Sequence, residues 1–331
     1  MDDGQGTHGP EPISGSGGRH RKEPWQTPAM DEFPQEPDRW TIGDTTLTAI
    51  VEAETPGIPV ELFFPEATAS DVIDAGPLPE GAVGSDGTIS FRVQSFVIQH
   101  RGRLIVVDPC VGNHKSRLLP FWDHQDWPWM SRFTDAGFDP DQVDLVVHTH
   151  LHEDHIGWDT HLVDGSWLPT FTNARHVYVG DELDWAASED RRSQQDSFGD
   201  SIAPVLDAGL GWEVDSGAVL GDGLFLMPTP GHTPGHASLV VETSTEPLIV
   251  TGDLLHHPFQ FATPALAEIG DVNPARARNT RCGFFDEYSR SGTLIAGTHF
   301  PAVPLGRIEA ASGAWRFRPE NPSPRSERPD R

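Results

Sequence analysis

The chain has 331 residues, 36% of them hydrophobic, and a formal net charge of −27. That charge excludes nucleic acid and anionic membrane surfaces as partners, since their phosphates would be repelled, while the length allows one large domain or two smaller ones. No apolar run reaches the roughly 18 residues of a membrane span, and two cysteines, Cys110 and Cys282, make no disulfide framework and are expected as buried thiols.

Residues 1–38 are rich in Gly, Pro, Ser and charge, lack hydrophobic periodicity and are expected as a disordered tail. They contain no apolar leader core, so the cytoplasm is the expected compartment, and Met30 is an alternative start. A folded domain over 39–318 then precedes a second expected tail, 319–331. Within the domain, "TTLTAIVEA" (45–53) and "TISFRVQSFVIQH" (88–100) alternate as strands, and "RLIVVDPC" (103–110) is a continuous apolar run. Gly102 between the last two predicts a tight hairpin. "PDQV" (140–143) starts a short helix, and "DLVVHTH" (144–150) and "ARHVYV" (174–179) are further strands. "GDELDWAAS" (180–188) reads as a helix, 223–231 and 237–243 as a strand pair, and "PLIVTGD" (247–253) as a strand. The longest helix falls at 273–292, before the strand "TLIAGTHF" (293–300). Strands interspersed with helices predict a layered α/β or α+β fold.

Several of these apolar strands end in a metal-capable residue: His150, Asp253 and His299, with His232 in the loop "TPGHTPGH". Loops at one edge of a sheet converge, so distant segments can assemble one site. In "HTHLHEDHIGW", an extended chain points His150 and His152 the same way. A turn then swings Asp154 and His155 towards a neighbouring position, and Gly157 relieves crowding directly after it. Imidazole and carboxylate donors suit Zn2+, Mn2+ or Fe2+. Seven donors make a complete set for two ions: His150, His152 and His232 on one; Asp154, His155 and His299 on the other; Asp253 across both.

The ordered series HxHxDH, His, Asp, His, each at a strand end, resembles the dinuclear hydrolases of the metallo-β-lactamase superfamily. The resemblance covers about residues 40–318 and implies a four-layer αββα sandwich with those seven residues as ligands of two divalent ions, zinc first. "DPCVGNHKSR", "THLHEDHIGW", "GHTPGH", "GDLLHHPFQ" and "GTHFP" look most like a branch near methyl parathion hydrolase and the N-acyl homoserine lactonases. The lactonases carry a tyrosine three residues after the bridging aspartate. Here that position is His256, and "GDLLH" is closer to methyl parathion hydrolase.

The implied activity is hydrolysis of an ester, lactone or related small-molecule bond by a hydroxide held between two ions. Asp154 and His256 are the expected catalytic residues, Asp154 contacting the nucleophile and His256 acting as a donor. The substrate is the only expected partner besides a second copy in a homodimer. Alternatives are a phosphotriester hydrolase and a non-catalytic metal-binding sensor or scaffold. His148 and His236 are expected in packing roles, and Asp108 as a hydrogen-bond partner of a ligand histidine or the backbone. His257 is expected to point away while His256 points in. His161 and His176 receive no role, and Trp122, Trp127, Trp129 and Trp158 are either pocket lining or core.

Overall fold

A computed structural model describes residues 36–324 except 195, 312 and 313. In chain order the elements are β1 (Arg39–Ile42), β2 (Thr45–Ile58), α1 (Ala69–Asp74), β3 (Ile89–His100), β4 (Arg103–Val107), α2 (Trp129–Asp135) and β5 (Leu145–Val147). A hairpin β6 (Thr160–Val163) and β7 (Ser166–Pro169) follows, then β8 (Arg175–Val179), α3 (Gly180–Ala187), α4 (Glu189–Gln194), α5 (Ala203–Asp207) and β9 (Gly211–Val214). The second half holds β10 (Val219–Gly221), β11 (Leu224–Pro228), β12 (Ala237–Val241), β13 (Leu248–Val250), α6 (Pro274–Tyr288), β14 (Leu294–Ala296), β15 (Leu305–Ala311) and β16 (Ala314–Pro319).

Two seven-stranded sheets result, ordered β1-β2-β3-β4-β5-β8-β9 and β10 through β16 in sequence. The strand residues explain the layering. In β4, Ile105 and Val107 face the core between the sheets, while Val106 faces the other way, onto a cluster containing Trp129 and Phe133 of α2. In β13, Leu248 and Val250 enter the inter-sheet core, whereas Ile249 packs with Phe284 and Phe285 of α6. Successive side chains point to opposite faces, and both faces are covered, which is why these strands read as continuous apolar runs rather than alternating ones. Helices outside two sheets give the four-layer αββα sandwich expected from the sequence.

The β3–β4 hairpin turns through Arg101 and Gly102, with φ of 47° and 81°. Two positive φ values match the right-handed twist of the flanking strands, and glycine adopts one of them without steric cost. "PDQV" forms only a single 3-10 turn, Pro140–Gln142, rather than the start of a longer helix. Pro140 can start such a turn, but Val143 returns to extended backbone. Of the expected N-terminal tail, 1–35 lies outside the described residues, as does 325–331 of the C-terminal one. Residues 319–324 run beside β1: the Trp40 indole donates to the Glu320 carbonyl, and the Ser323 amide donates to the Arg39 carbonyl. Cys110 is buried as expected, whereas Cys282 on α6 is only half-buried, and both are free thiols. No helix among the described residues is long and apolar enough to cross a membrane.

Candidate metal centre

The site gathers where several strands end at one edge of the two sheets. β4 runs into Asp108, β5 into His148–Asp159, β13 into Asp253 and β14 into His299, while the loop between β11 and β12 supplies His232. Backbone contacts fix the loop after β5 in place. The Gly157 amide donates to the Cys110 carbonyl at 2.6 Å and the Trp158 amide to the Pro109 carbonyl at 2.7 Å. A Cβ on Gly157 would stand 1.8 Å from the Val111 carbonyl oxygen, so only glycine allows this approach. Buried Glu182 on α3 accepts from the Leu151 amide at 3.1 Å and the Gly235 amide at 2.7 Å, tying the loop of His150 to the loop of His232.

All seven residues singled out in the sequence come together, and they divide into two groups. In the first, His152 Nδ1 lies 3.0 Å from His150 Nε2 and 2.9 Å from His232 Nε2. Asp253 Oδ2 is 3.6 Å from His150 Nε2 and 3.2 Å from His232 Nε2. In the second, His155 Nε2 and His299 Nε2 stand 3.2 Å apart, with Asp154 Oδ2 at 3.6 and 3.5 Å from them. Asp253 Oδ1 is 3.3 Å from His155 Nε2 and 3.1 Å from His299 Nε2. Its two oxygens therefore face different groups.

The far nitrogens of three of the five rings have hydrogen-bond partners of their own, and that of a fourth, His155, lies near a carboxylate without hydrogen-bonding to it. The Thr149 hydroxyl donates to Asp108 Oδ2, so His150 Nδ1–H donates to that hydroxyl, at 3.1 Å. His155 Nδ1 lies 3.1 Å from Asp108 Oδ2, His232 Nδ1–H donates to Asp271 at 3.0 Å, and His299 Nδ1–H donates to the Arg92 carbonyl at 2.7 Å. Each such bond fixes the tautomer and turns the other nitrogen's lone pair inward. Donors held about 2.0–2.1 Å from an ion in a tetrahedron stand about 3.3 Å from one another, which is the spacing found here. Asp253 Oδ1 is buried with no hydrogen-bond partner. The clusters fit divalent metal ions.

The electrostatics agree. Burial, with neighbouring imidazoles, holds His150 and His152 well below the ordinary histidine range. Burial opposes protonation of His232 too, but the carboxylates of Asp253 and Asp271 override it and push that ring up to about 10. Burial resists ionisation of Asp253, yet His155 and His299 hold it well below the usual carboxylate range.

The remaining histidines are placed individually. His256 points in, with Nε2 3.1 Å from Asp253 Oδ2 and 3.7 Å from Glu268 Oε2, while His257 turns away to the Ala82 carbonyl. Asp108 contacts both the Thr149 backbone amide and His155. His236 Nε2 accepts from the Asp253 amide at 3.0 Å and so positions that aspartate, a specific part within its structural role. His148 does more than pack a strand end. It bonds Asp159, which also accepts from the Tyr178 hydroxyl and lies 3.1 Å from His176 Nδ1. His176, given no role in the sequence, thus belongs to a buried polar group beneath the loop; His161 contacts Thr170. Trp129 and Trp158 stack in the core at 5.2 Å, Trp127 and Trp122 join them there, and Trp122 also lines an apolar cavity. Sequence reasoning missed the carboxylates Glu182, Asp271 and Glu268, distant in the chain, which reach the site through the loop amides, His232 and His256 respectively.

Residues 90–313 match the family described as the Metallo-beta-lactamase superfamily. The chain belongs to that superfamily. Over 192 residues it is 36% identical to the N-acyl homoserine lactonase AttM of Rhizobium radiobacter, a match covering 51% of this chain and 67% of that protein. Across the AttM relatives of three bacteria the matches span only 43% to 67% of their own length. Among solved structures, a hydrolase named AbOPH, of the beta lactamase superfamily, superposes with a TM-score of 0.72 at 22% identity, covering 88% of this chain and 100% of that one. AidC, a dizinc quorum-quenching lactonase in complex with its product N-hexnoyl-L-homoserine, gives 0.69 at 19% identity, covering 86% and 98%. At those identities the two structures speak for the fold. Together with relatives named as lactonases, family membership puts the chain among metal-dependent hydrolases.

Proposed function

We propose that this protein opens a lactone, or cleaves a related small-molecule ester, at a centre of two divalent ions, zinc first, with manganese or iron as alternatives. His150, His152 and His232 would hold one ion, Asp154, His155 and His299 the other, and Asp253 both. The observation that carries this reading is the division of Asp253, whose two oxygens lie 3.1–3.6 Å from imidazole nitrogens of different groups. Two such ions, when bound, would supply hydroxide at neutral pH and polarise the bond under attack.

The chain's own residues do the rest. Asp108, Asp271 and the Arg92 carbonyl aim the rings, and His236 holds the Asp253 backbone. Asp154, 3.5–3.6 Å from His299 and His155, is read as also orienting the nucleophile. His256, with Nδ1 buried and unpaired and Nε2 beside Asp253, is read as the donor of a proton to the leaving oxygen. An apolar cavity of about 250 Å3 is lined in part by Phe91, whose ring stacks on His299 with centroids 4.3 Å apart. The substrate's apolar part is read as seated there. His256, standing where lactonases have tyrosine, also supports a second reading, phosphotriester hydrolysis.

Asp253→Ala should abolish turnover and lower bound metal to well under two equivalents. The check is elemental analysis beside a panel of lactone, aryl ester and phosphotriester substrates. Full activity of Asp253→Ala would overturn the reading, and no turnover by metal-loaded wild type would leave the non-catalytic one.

A further inference from the structure

His256 lies outside the seven donors, yet it is surrounded as a ligand would be. The ring is buried, and its Nε2 faces two carboxylates from different loops, Asp253 Oδ2 at 3.1 Å and Glu268 Oε2 at 3.7 Å. The second distance is too long for a hydrogen bond, so a proton on Nε2 cannot serve both oxygens at once. The two distances bracket the spacing of about 3.3 Å between donors on one ion. Glu268 is buried as well, and among the described residues its ion-pair partners are only the rings of His256 and His232, at 3.7 and 4.0 Å. His232 Nδ1 already donates to Asp271. A buried carboxylate is costly unless it is closely paired or coordinates a cation.

The loop before α6 leaves Glu268 little freedom. Its carboxylate accepts from the Gly270 amide at 2.5 Å, its own amide donates to Asp271 Oδ2 at 3.0 Å, and the Ile269 and Val272 amides donate to the Phe63 and His232 carbonyls at 2.9 and 2.8 Å. We propose that His256 and Glu268, sharing Asp253 Oδ2 with the first group, form a third divalent-ion site, and that filling it inhibits the enzyme. One imidazole and two carboxylates suit zinc or manganese. Three protein donors, one of them shared, and the charge of the ions beside it make this the weakest of the three sites. An ion on His256 Nε2 takes the lone pair that a proton would use, so that nitrogen no longer serves as a donor. The ion count stands by itself, whereas the inhibition rests on the hydrolase reading above.

The experiment titrates zinc calorimetrically into chelator-stripped wild type, Glu268→Gln and His256→Gln, and counts the zinc held at each step by equilibrium dialysis and elemental analysis. Wild type should take two tight equivalents and then a third, weaker one. Both variants should keep the two and lose the third. Glutamine at 268 preserves size and still accepts from the Gly270 amide, so the loop keeps its shape. Two equivalents alone in wild type, or a third kept by either folded variant, overturns the proposal. Extra zinc held equally by all three proteins is surface binding to an acidic chain and overturns it too. Where Glu268→Gln does not fold, His256→Gln decides alone.

Turnover of a lactone or aryl ester across the same zinc range gives the second readout. Wild-type activity should fall as the third equivalent binds. Glu268→Gln, scaled to its own activity at two equivalents, should hold its rate over that range. An equal fall in both proteins, or a filled third site with no fall in wild type, overturns the inhibitory role. No turnover by any of the proteins would sink only the hydrolase reading and leave the third equivalent to be judged by the ion count.

Discussion

At the scale of single residues, the histidines divide by what lies on each side of the ring. His256 and His257 are adjacent in sequence and opposite in surroundings. His256 faces Asp253 and Glu268, within reach of the proposed reaction. His256→Ala should lower kcat about a hundredfold, the size of a general-acid contribution, while leaving two metal equivalents. Loss of metal in step with activity would instead make it a structural support of the centre. His257 is locked neutral: Nδ1 accepts from the Phe259 amide and Nε2–H donates to the Ala82 carbonyl. Burial pushes its pKa down to about 4. An unfolded histidine near 6.5 binds protons that the folded one refuses. Its stabilisation is therefore full above about pH 6.5 and is lost as pH falls towards 4, by about 3 kcal/mol. Since glutamine can both accept and donate, His257→Gln should flatten the fall in unfolding free energy between pH 7 and 4. A variant as acid-sensitive as wild type, measured by denaturant unfolding, contradicts this.

At the scale of elements, the long strands and the HxHxDH loop were legible because their signal is local. Strands such as β4 and β13 are apolar on both faces and end abruptly in Asp108 and Asp253. Edge elements were not legible: β1, β9, β10 and β16 are short or half-exposed, and their pairing depends on partners far along the chain. The β6–β7 hairpin was hidden because Leu162, Val163 and Leu168 face solvent, blurring the alternation. Nor could local patterning show that buried Arg281 on α6 would donate to the Leu254 carbonyl, anchoring the helix to the turn after Asp253. Gly157 was read as relief after a turn, and its reason proves more specific: the loop lies backbone to backbone on residues 109–111. A methyl there must push apart two loops that carry Asp108 and Asp154. Gly157→Ala should cost about 3 kcal/mol or more, the upper range of overpacking because backbone rather than side chain must move. Its thermal midpoint and zinc content should fall together; a drop in neither would show that the loops can separate freely.

At the scale of the whole molecule, the centre joins two halves that otherwise meet mainly through apolar contact. Four of the seven donors follow β5 in the first sheet, and His232, Asp253 and His299 belong to the second. Each proposed ion would take donors from both sheets, so binding would clamp the sandwich along its functional edge. Ligands that bind only the folded state stabilise it by mass action, about 4 kcal/mol at a thousandfold excess over Kd. For a domain of this size, each kcal/mol moves the midpoint by about 2–4 °C. Chelator-stripped protein should thus unfold on the order of 10 °C below the zinc-loaded form, and added zinc should restore the difference. In Asp253→Ala, which removes a donor shared by both groups, zinc should restore only a small part of it. Stripped and loaded wild type unfolding at the same temperature would mean that the sheets hold this edge together without ions, and that the cluster does not couple the halves.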